Sequence, residues 1–189
     1  MQRKEKEMTR KGDWMQTYMG IKYYPYDPRP EDFVIEDIAH ALSMTCRYNG
    51  HSQVFMSVAQ HSVLMSHCVK PQNALWALLH DAAEAYLGDL VRPVKHGGPP
   101  GCIGLGEEFK ALENKTLSMI AQRFDLPWPM PDEIHEADNR MLETESRDIM
   151  GGQIEPWGLG VEPYDRVIVS WYPNLAERSF LERYEELKR

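Results

Sequence analysis

The sequence has little that would place the protein in a membrane, in an oxidising compartment or on nucleic acid. No stretch approaches the ~18 consecutive apolar residues of a transmembrane helix. The three cysteines are odd in number and show no CxxC spacing, which argues against a disulfide framework and against a thiolate zinc site. A formal net charge of -8 disfavours binding to nucleic acid or to anionic membrane surfaces. We therefore expect a cytoplasmic protein with reduced thiols and a small-molecule ligand.

What remains is an ordinary globular composition. A chain of 189 residues with 42% hydrophobic content can bury one good core. The charged segment 1–14 is predicted to be a flexible tail, and residues 15–189 to form a single domain. The expected fold class is all-α, with one small β ribbon.

Apolar residues at helical spacing, with prolines and glycines at the segment ends, predict six helices. The predicted ranges are 31–48, 52–69, 75–87, 107–124, 132–150 and a last helix from about Asn174. The connector 88–106 is rich in glycine and proline, which excludes regular helix through most of it. Residues 17–30 resemble a ribbon or an ordered loop, and "RVIVSW" at 166–171 is predicted to pair with them as a strand.

The third predicted helix, "LWALLHDAAEAYLGD", has almost no solvated face. Its apolar stripe is that of a core-facing helix, yet His80, Asp81 and Glu84 cluster on the remaining side. The fifth helix repeats the feature, because Asp138 falls inside its apolar stripe and Glu145 follows two turns later. A buried carboxylate must be protonated, paired with a cation or bound to a metal. The favoured interpretation of Glu145 taken alone is a salt bridge or a helix-end hydrogen bond.

A metal site explains the buried polar residues together. His61 lies on the preceding helix, so two imidazoles and two carboxylates are available from three helices. Such a mixed shell suits a borderline divalent ion such as zinc, cobalt, manganese or iron. Spacing alone is a weak signal in a chain with seven histidines. His67, His96 and His135 are interpreted as surface or supporting residues.

The series "VAQHS", "LLHDAAEAYLGDLVRPVK" and "EADNRML" resembles the HD-domain phosphohydrolase superfamily, over roughly Ile35 to Met150. The resemblance implies an HD-domain helical bundle with a divalent metal held by four ligands: His61, His80, Asp81 and Asp138. It further implies that Glu84 and Asp89 stand near the attacking water and the leaving oxygen, and that Arg47 contacts phosphate. One departure is Gln60, where relatives often carry Glu.

The segment "IAHALSMTCRYNGH" looks closer still to the small phage dATP triphosphohydrolases that accompany 2-aminoadenine DNA. This likeness implies that Arg47 and Tyr48 hold the nucleotide, and that dATP is cleaved to deoxyadenosine and triphosphate. Lys95 is a further cation expected to meet phosphate, with solvent-exposed charge as the alternative for it and for Arg92. A homo-oligomer is also expected.

Three other functions stay open at this stage. A 5'-deoxynucleotidase would use the same steps on monophosphates, and it differs in needing room and positive charge for fewer phosphates. A phosphodiesterase of cyclic or alarmone nucleotides would have the same metal ligands. A nucleotide-sensing or metal-storing regulator without turnover is the alternative of another class, and a nearby acid-base pair, Glu84 and Asp89, argues against it.

Overall fold

The computed structural model describes residues 10–95, 106–151 and 153–188. Within these ranges the chain is mostly helical with one small antiparallel sheet, which confirms the predicted helical character. The elements are β1 (Met15–Gln16), β2 (Lys22–Tyr23), α1 (Ile35–Met44), α2 (Val58–Ser66), α3 (Ala74–Leu79), α4 (Glu84–Leu87), α5 (Arg92–Lys95), α6 (Gly106–Arg123), α7 (Asp132–Ile149) and α8 (Pro173–Leu187). Short 3-10 turns occupy Pro30–Asp32, Arg47–Gly50 and Pro71–Asn73.

The first two helices are shorter than predicted because the chain between them pairs with itself. The sequence predicts a helix over 31–48, but α1 ends at Met44 and α2 begins only at Val58. The amide of Arg47 donates to the carbonyl of Met56 at 2.8 Å, across the connecting loop. In a continuing helix the Arg47 amide would donate to the carbonyl four residues earlier, so its bond to Met56 ends the helix.

The third predicted helix is divided. α3 ends at Leu79 and α4 starts at Glu84, and the residues between them form a tighter turn. In this turn the backbone hydrogen bonds join residues three apart, whereas those of an α-helix join residues four apart. One example is the bond from the Ala82 amide to the Leu79 carbonyl at 3.0 Å. His80 and Asp81 lie in this turn rather than inside a regular helix.

The ribbon also differs from the prediction. Both of its strands come from the N-terminal segment, with Met15 opposite Tyr23, and the predicted strand at 166–171 is wrong. The backbone there bonds to side chains instead: the Ile168 amide donates to Asp148, and the Trp171 amide donates to Gln60. Because side chains satisfy these amides, the apolar alternation of the segment does not lead to a strand.

The helix α2 is the centre of the core, and all nine of its residues are buried. It packs against α3 and α8, and α8 also packs against α1. A second apolar group joins β2 to this core, where the ring of Tyr23 lies 4.6 Å from that of Tyr86 and 5.8 Å from that of Phe33, measured between centroids. A helix buried on every side must satisfy its polar side chains internally. That requirement applies to Gln60 and His61.

Several other predictions have a partial outcome. The connector 88–106 contains a short helix, α5, that was not predicted, while its residues 96–105, with His96 and Cys102, lie outside the described ranges.

Cys46 and Cys68 are free thiols. Residues 1–9 of the predicted tail are also outside the description, whereas Arg10 forms an ion pair with the buried carboxylate of Asp32. In the described part of the chain, no helix is both long and apolar enough to cross a membrane.

Candidate metal and phosphohydrolase site

His61 is fixed by the helix that carries it. The N-cap of α2 is Ser57, whose hydroxyl accepts from the Gln60 amide at 3.1 Å. His61 is completely buried, and its Nδ1 lies 2.5 Å from Oε1 of Glu145. Its other nitrogen, Nε2, therefore faces the neighbouring turn between α3 and α4.

His80 and Asp81 meet that nitrogen from the turn. The Nδ1 of His80 lies 2.8 Å from the carbonyl of Ala77, so its Nε2 points inward, 3.2 Å from Nε2 of His61. Asp81 places Oδ2 at 3.1 Å from Nε2 of His80 and at 3.9 Å from Nε2 of His61. Burial alone would raise the pKa of Asp81, but His80, His61 and Arg47 lower it well below its usual range.

These three side chains could hold a metal ion. One ligand atom from each of His61, His80 and Asp81 lies within 4.8 Å of the other two. The outer nitrogen of each imidazole faces an oxygen atom, which is the arrangement that orients metal-binding histidines. The donor set of two nitrogens and carboxylate oxygens is suited to zinc, cobalt or manganese. The residues present therefore fit a divalent metal ion.

Asp138, the fourth predicted ligand, comes from α7. Its Oδ1 lies 3.3 Å from Nε2 of His61, and its Oδ2 lies 3.6 Å from the guanidinium of Arg92. Burial would raise the pKa of Asp138, but the bond to His61 and the charge of both imidazoles lower it. The helix α7 thus brings an ionised carboxylate to the group formed by α2 and the α3–α4 turn.

A second network lies directly behind His61. Oε2 of the fully buried Glu145 accepts from the hydroxyl of Tyr48 at 2.5 Å and from Nη2 of Arg47 at 3.2 Å. Burial would raise the pKa of Glu145, but Arg47 and His61 lower it, so the carboxylate is ionised. Arg47 is only 7% exposed, and its Nη1 lies 3.6 Å from Oδ2 of Asp81. Its guanidinium therefore lies between the Glu145 carboxylate and the predicted metal ligands.

The turn that carries Arg47 has an unusual backbone. Tyr48 and Asn49 adopt positive φ angles of 56° and 50°, a left-handed conformation that is uncommon for residues other than glycine. Such strain persists only where the surrounding contacts hold it, and it is enriched at functional sites. The sequence predicts that Tyr48 ends the first helix. In the structure, α1 ends at Met44 and Tyr48 lies in the turn that follows it.

Glu84 occupies the other side of the site. It is buried, its Oε1 accepts from Nζ of Lys95 at 2.8 Å, and its Oε2 has no hydrogen-bond partner among the described residues. Burial and the charge of Asp81 raise the pKa of Glu84 well above its ordinary value, whereas Lys95 opposes that rise. A carboxyl group under these opposed influences can both take and return a proton. Lys95 is held on its other side by Glu113 of α6, at 2.9 Å.

Asp89 lies half-buried in the chain between α4 and α5. Burial raises the pKa of its carboxyl group, and the charges of Arg47, Asp81 and Lys95 also act on it. It is thus within electrostatic range of the cluster. Its catalytic role stays a prediction.

Some residues were not selected from the sequence. Trp157 lies in the loop before α8, with its ring 6.0 Å from that of Tyr48 and 38% of the residue exposed. Glu113 pairs with the predicted site residue Lys95, and Glu113 lies in no recognisable motif. The stripe of α7 predicts that Glu145 faces the core like Asp138, but residue type and spacing do not predict its contacts with His61 and Tyr48. His67 and His135 are exposed, in agreement with their interpretation as surface residues.

The chain is thus a helical protein with a buried His-His-Asp group able to hold a metal ion. No family model matches it. It is 35% identical over 177 residues to the uncharacterised protein YfdR of Escherichia coli K12, covering 92% of this chain and 95% of that relative. It is also 35% identical over 151 residues to an uncharacterised protein of Rhodobacter capsulatus, covering 73% and 74% of the two chains. The chain belongs to the same family as YfdR.

One relative has a functional name. The 5'-deoxynucleotidase VP0926 of Vibrio parahaemolyticus is 34% identical over 77 residues, which is 37% of this chain and 38% of that protein. The similarity is partial, and it suggests a nucleotide hydrolase.

Proposed function

We propose that the protein is a metal-dependent phosphohydrolase of the HD-domain superfamily that acts on 2'-deoxynucleotides. The observation that carries this proposal is the convergence of His61, His80 and Asp81 beside Asp138, from three separate parts of the chain. The partial relative named as a 5'-deoxynucleotidase supports the substrate class. The resemblance of the motifs to HD-domain enzymes supports the superfamily.

The metal ion would be held by His61, His80, Asp81 and Asp138. When bound, a divalent metal lowers the pKa of a water nucleophile toward ~7 and neutralises charge on a phosphate oxygen. The protein contributes fixed ligand atoms, because the outer nitrogens of His61 and His80 already face oxygen atoms of the chain.

The remaining side chains would serve the substrate. Arg47 can donate to phosphate oxygens through a guanidinium held in place by Glu145. Glu84 can receive the proton of the attacking water at Oε2, which has no partner among the described residues, in the ionised form that Lys95 favours. Asp89 can protonate the leaving oxygen, since burial raises its pKa and favours the acid form.

The charges of the site favour a monophosphate over a triphosphate. Among the described residues, three cations lie near the site, and each already faces a carboxylate: Arg47 faces Glu145, Arg92 faces Asp138 and Lys95 faces Glu84. Two further phosphates would add negative charge beside cations that are already paired with carboxylates. We therefore place 5'-deoxynucleotidase activity first, in line with the name of the partial relative.

Hydrolysis of dATP to deoxyadenosine and triphosphate is the second candidate. It is favoured by one feature, the Arg47–Tyr48 pair ahead of His61, which looks like the nucleotide-holding pair of the small phage dATP triphosphohydrolases. Tyr48 and Trp157 offer adjacent rings on which a base can stack. A regulator without turnover, the alternative of another class, would not need the buried free oxygen of Glu84. A homo-oligomer is also part of the proposal.

The test is a substrate panel. The protein is reconstituted separately with zinc, cobalt and manganese, and then incubated with deoxynucleoside mono- and triphosphates of all four bases and with the matching ribonucleotides. Chromatography identifies phosphate, triphosphate and nucleoside. Phosphate release from deoxynucleoside monophosphates is the expected result, triphosphate release would support the second candidate, and no turnover with any metal would contradict both.

A further inference from the structure

Glu145 contacts both halves of the proposed site with different atoms. Its Oε1 lies 2.5 Å from Nδ1 of His61. Its Oε2 accepts from the hydroxyl of Tyr48 at 2.5 Å and from Nη2 of Arg47 at 3.2 Å. One carboxylate oxygen therefore contacts His61, a predicted metal ligand, and the other accepts hydrogen bonds from the Arg47–Tyr48 turn.

A buried salt bridge with Arg47 does not explain this division. The ion pair uses only Oε2, while Oε1 is directed to an imidazole whose opposite nitrogen lies 3.2 Å from Nε2 of His80. Metal binding requires a neutral imidazole with one proton, and a hydrogen bond to a carboxylate keeps that proton on the bonded nitrogen. The bond from Nδ1 to Glu145 then directs the lone pair of Nε2 to the centre of the His-His-Asp group.

The turn depends on the same carboxylate. Tyr48 and Asn49 have left-handed backbones, which are strained for residues with a side chain. The hydroxyl of Tyr48 reaches Glu145, and the guanidinium of Arg47 lies 5.4 Å from the centre of the Tyr48 ring. Glu145 is therefore a fixed point to which both residues of the pair are attached.

We propose that Glu145 is a positioning residue that holds His61 in its metal-binding tautomer and anchors the Arg47–Tyr48 turn against the metal ligands. The inference rests on the proposed function, since it takes His61 as a metal ligand and Arg47 as a phosphate contact. It assigns Glu145 no contact with substrate.

The first test measures cobalt binding by visible absorption in the metal-free protein. Glu145→Gln removes the charge at nearly constant size and should weaken cobalt binding by about 10- to 100-fold, the range seen when a partner of a metal-binding histidine is lost. Asp148→Asn is the matched control, since Asp148 also lies on α7 and accepts from the Ile168 amide, away from the cluster. It should leave cobalt binding unchanged even where it lowers thermal stability.

A second variant separates the two oxygens. Tyr48→Phe removes a donor to Oε2 and leaves the contact between Oε1 and His61 in place. Cobalt binding should therefore stay near that of the wild type, while the KM for the nucleotide rises because the turn is less firmly held. A loss of cobalt binding as large as that of Glu145→Gln would contradict the division of roles.

A third measurement needs no variant and decides the matter if Glu145→Gln does not fold. Nitrogen-15 NMR of the histidines in the zinc-loaded wild type should show His61 protonated at Nδ1, with the metal on Nε2. Metal on Nδ1, or no zinc binding at all, would overturn the inference. So would cobalt binding by Glu145→Gln equal to that of the wild type.

These results are distinguishable from a failure of the proposed function. A wild type that binds cobalt but hydrolyses no deoxynucleotide would contradict the proposed activity and leave the cobalt and NMR outcomes for Glu145 valid.

Discussion

The two ends of the candidate site are built from different kinds of structure. At the inner end, His61 comes from the buried helix α2, Asp138 from the longer helix α7, and His80 from the turn that follows α3. At the outer end, the Arg47–Gly50 turn and the loop with Trp157 supply the side chains, and both have irregular backbones. Side chains on regular elements are suited to holding a metal, whereas loops more often select a ligand. Substitutions at the inner end should therefore abolish function, while those at the outer end should change affinity.

The largest effect is expected at the inner end, from His80→Ala. Only two of the three clustered ligand atoms would remain, so bound metal and turnover should both fall below detection. Helical content should be largely unchanged, because other elements build most of the core. Elemental analysis and circular dichroism are the measurements.

His135→Ala is the matched control, because His135 is exposed on α7 and has no part in the cluster. It should keep the metal content of the wild type. Full metal occupancy in His80→Ala would contradict the site assignment.

The inner end could be predicted from the sequence because helices carry a strict period. The apolar stripe of α7 predicts that Asp138 faces the core, where an unpaired carboxylate is costly, and the structure leaves its side chain 23% exposed beside His61. The doublet of His80 and Asp81 stands out for the same reason. The division of that segment into α3 and α4 could not be predicted, since it depends on which carbonyls the turn uses and not on residue type.

The next largest effect is expected from Glu84→Gln. Loss of an acid-base group typically lowers turnover by about 10²- to 10⁴-fold, and the metal should stay bound because Glu84 is not among the clustered ligand atoms. Stopped-flow or steady-state kinetics at saturating metal would measure it. Glu113→Gln is the control, since Glu113 pairs with the same Lys95 from α6. Equal losses in both variants would mean that the position of Lys95, rather than Glu84, limits the reaction.

A smaller effect is expected at the outer end, from Trp157→Ala. Stacking with a base is worth about 1–3 kcal/mol, so the variant should raise the KM by roughly 5- to 150-fold with little change in kcat. The residue is 38% exposed, and the melting temperature should therefore change little. Tyr48→Ala is the variant for comparison. Because Tyr48 also bonds to Glu145, this substitution should raise the KM and lower the melting temperature as well. An unchanged KM in Trp157→Ala would remove the loop from the binding site.

The outer end could not be predicted in the same way. Trp157 lies in a loop without periodicity, and its approach to Tyr48 depends on the path of the whole segment from α7 to α8. The strand predicted at 166–171 lies in the same segment, and that prediction is wrong. It was suggested by Val167 and Val169, which alternate with the buried Ile168 as side chains do in a sheet. Both valines are exposed, and the backbone bonds are made by side chains of α2 and α7.

The smallest effect on activity is expected from Gln60→Glu, at a position where HD-domain enzymes often carry Glu. Gln60 is completely buried; its amide nitrogen donates to the carbonyl of Val169 at 2.8 Å, and its oxygen accepts from the amide of Trp171 at 3.0 Å. Glutamate can accept from Trp171 but, when ionised, cannot donate to Val169, so two oxygens would face each other without water. An unsatisfied buried group costs about 1–3 kcal/mol, and urea unfolding should show a loss of that size. Ser170→Ala is the control, since Ser170 lies in the same loop as Val169 and Trp171 and its exposed hydroxyl donates one bond to the carbonyl of Phe55, so that its loss should cost less. Cobalt binding in Gln60→Glu should equal that of the wild type, and a tenfold weakening without loss of stability would instead make Gln60 part of the metal site.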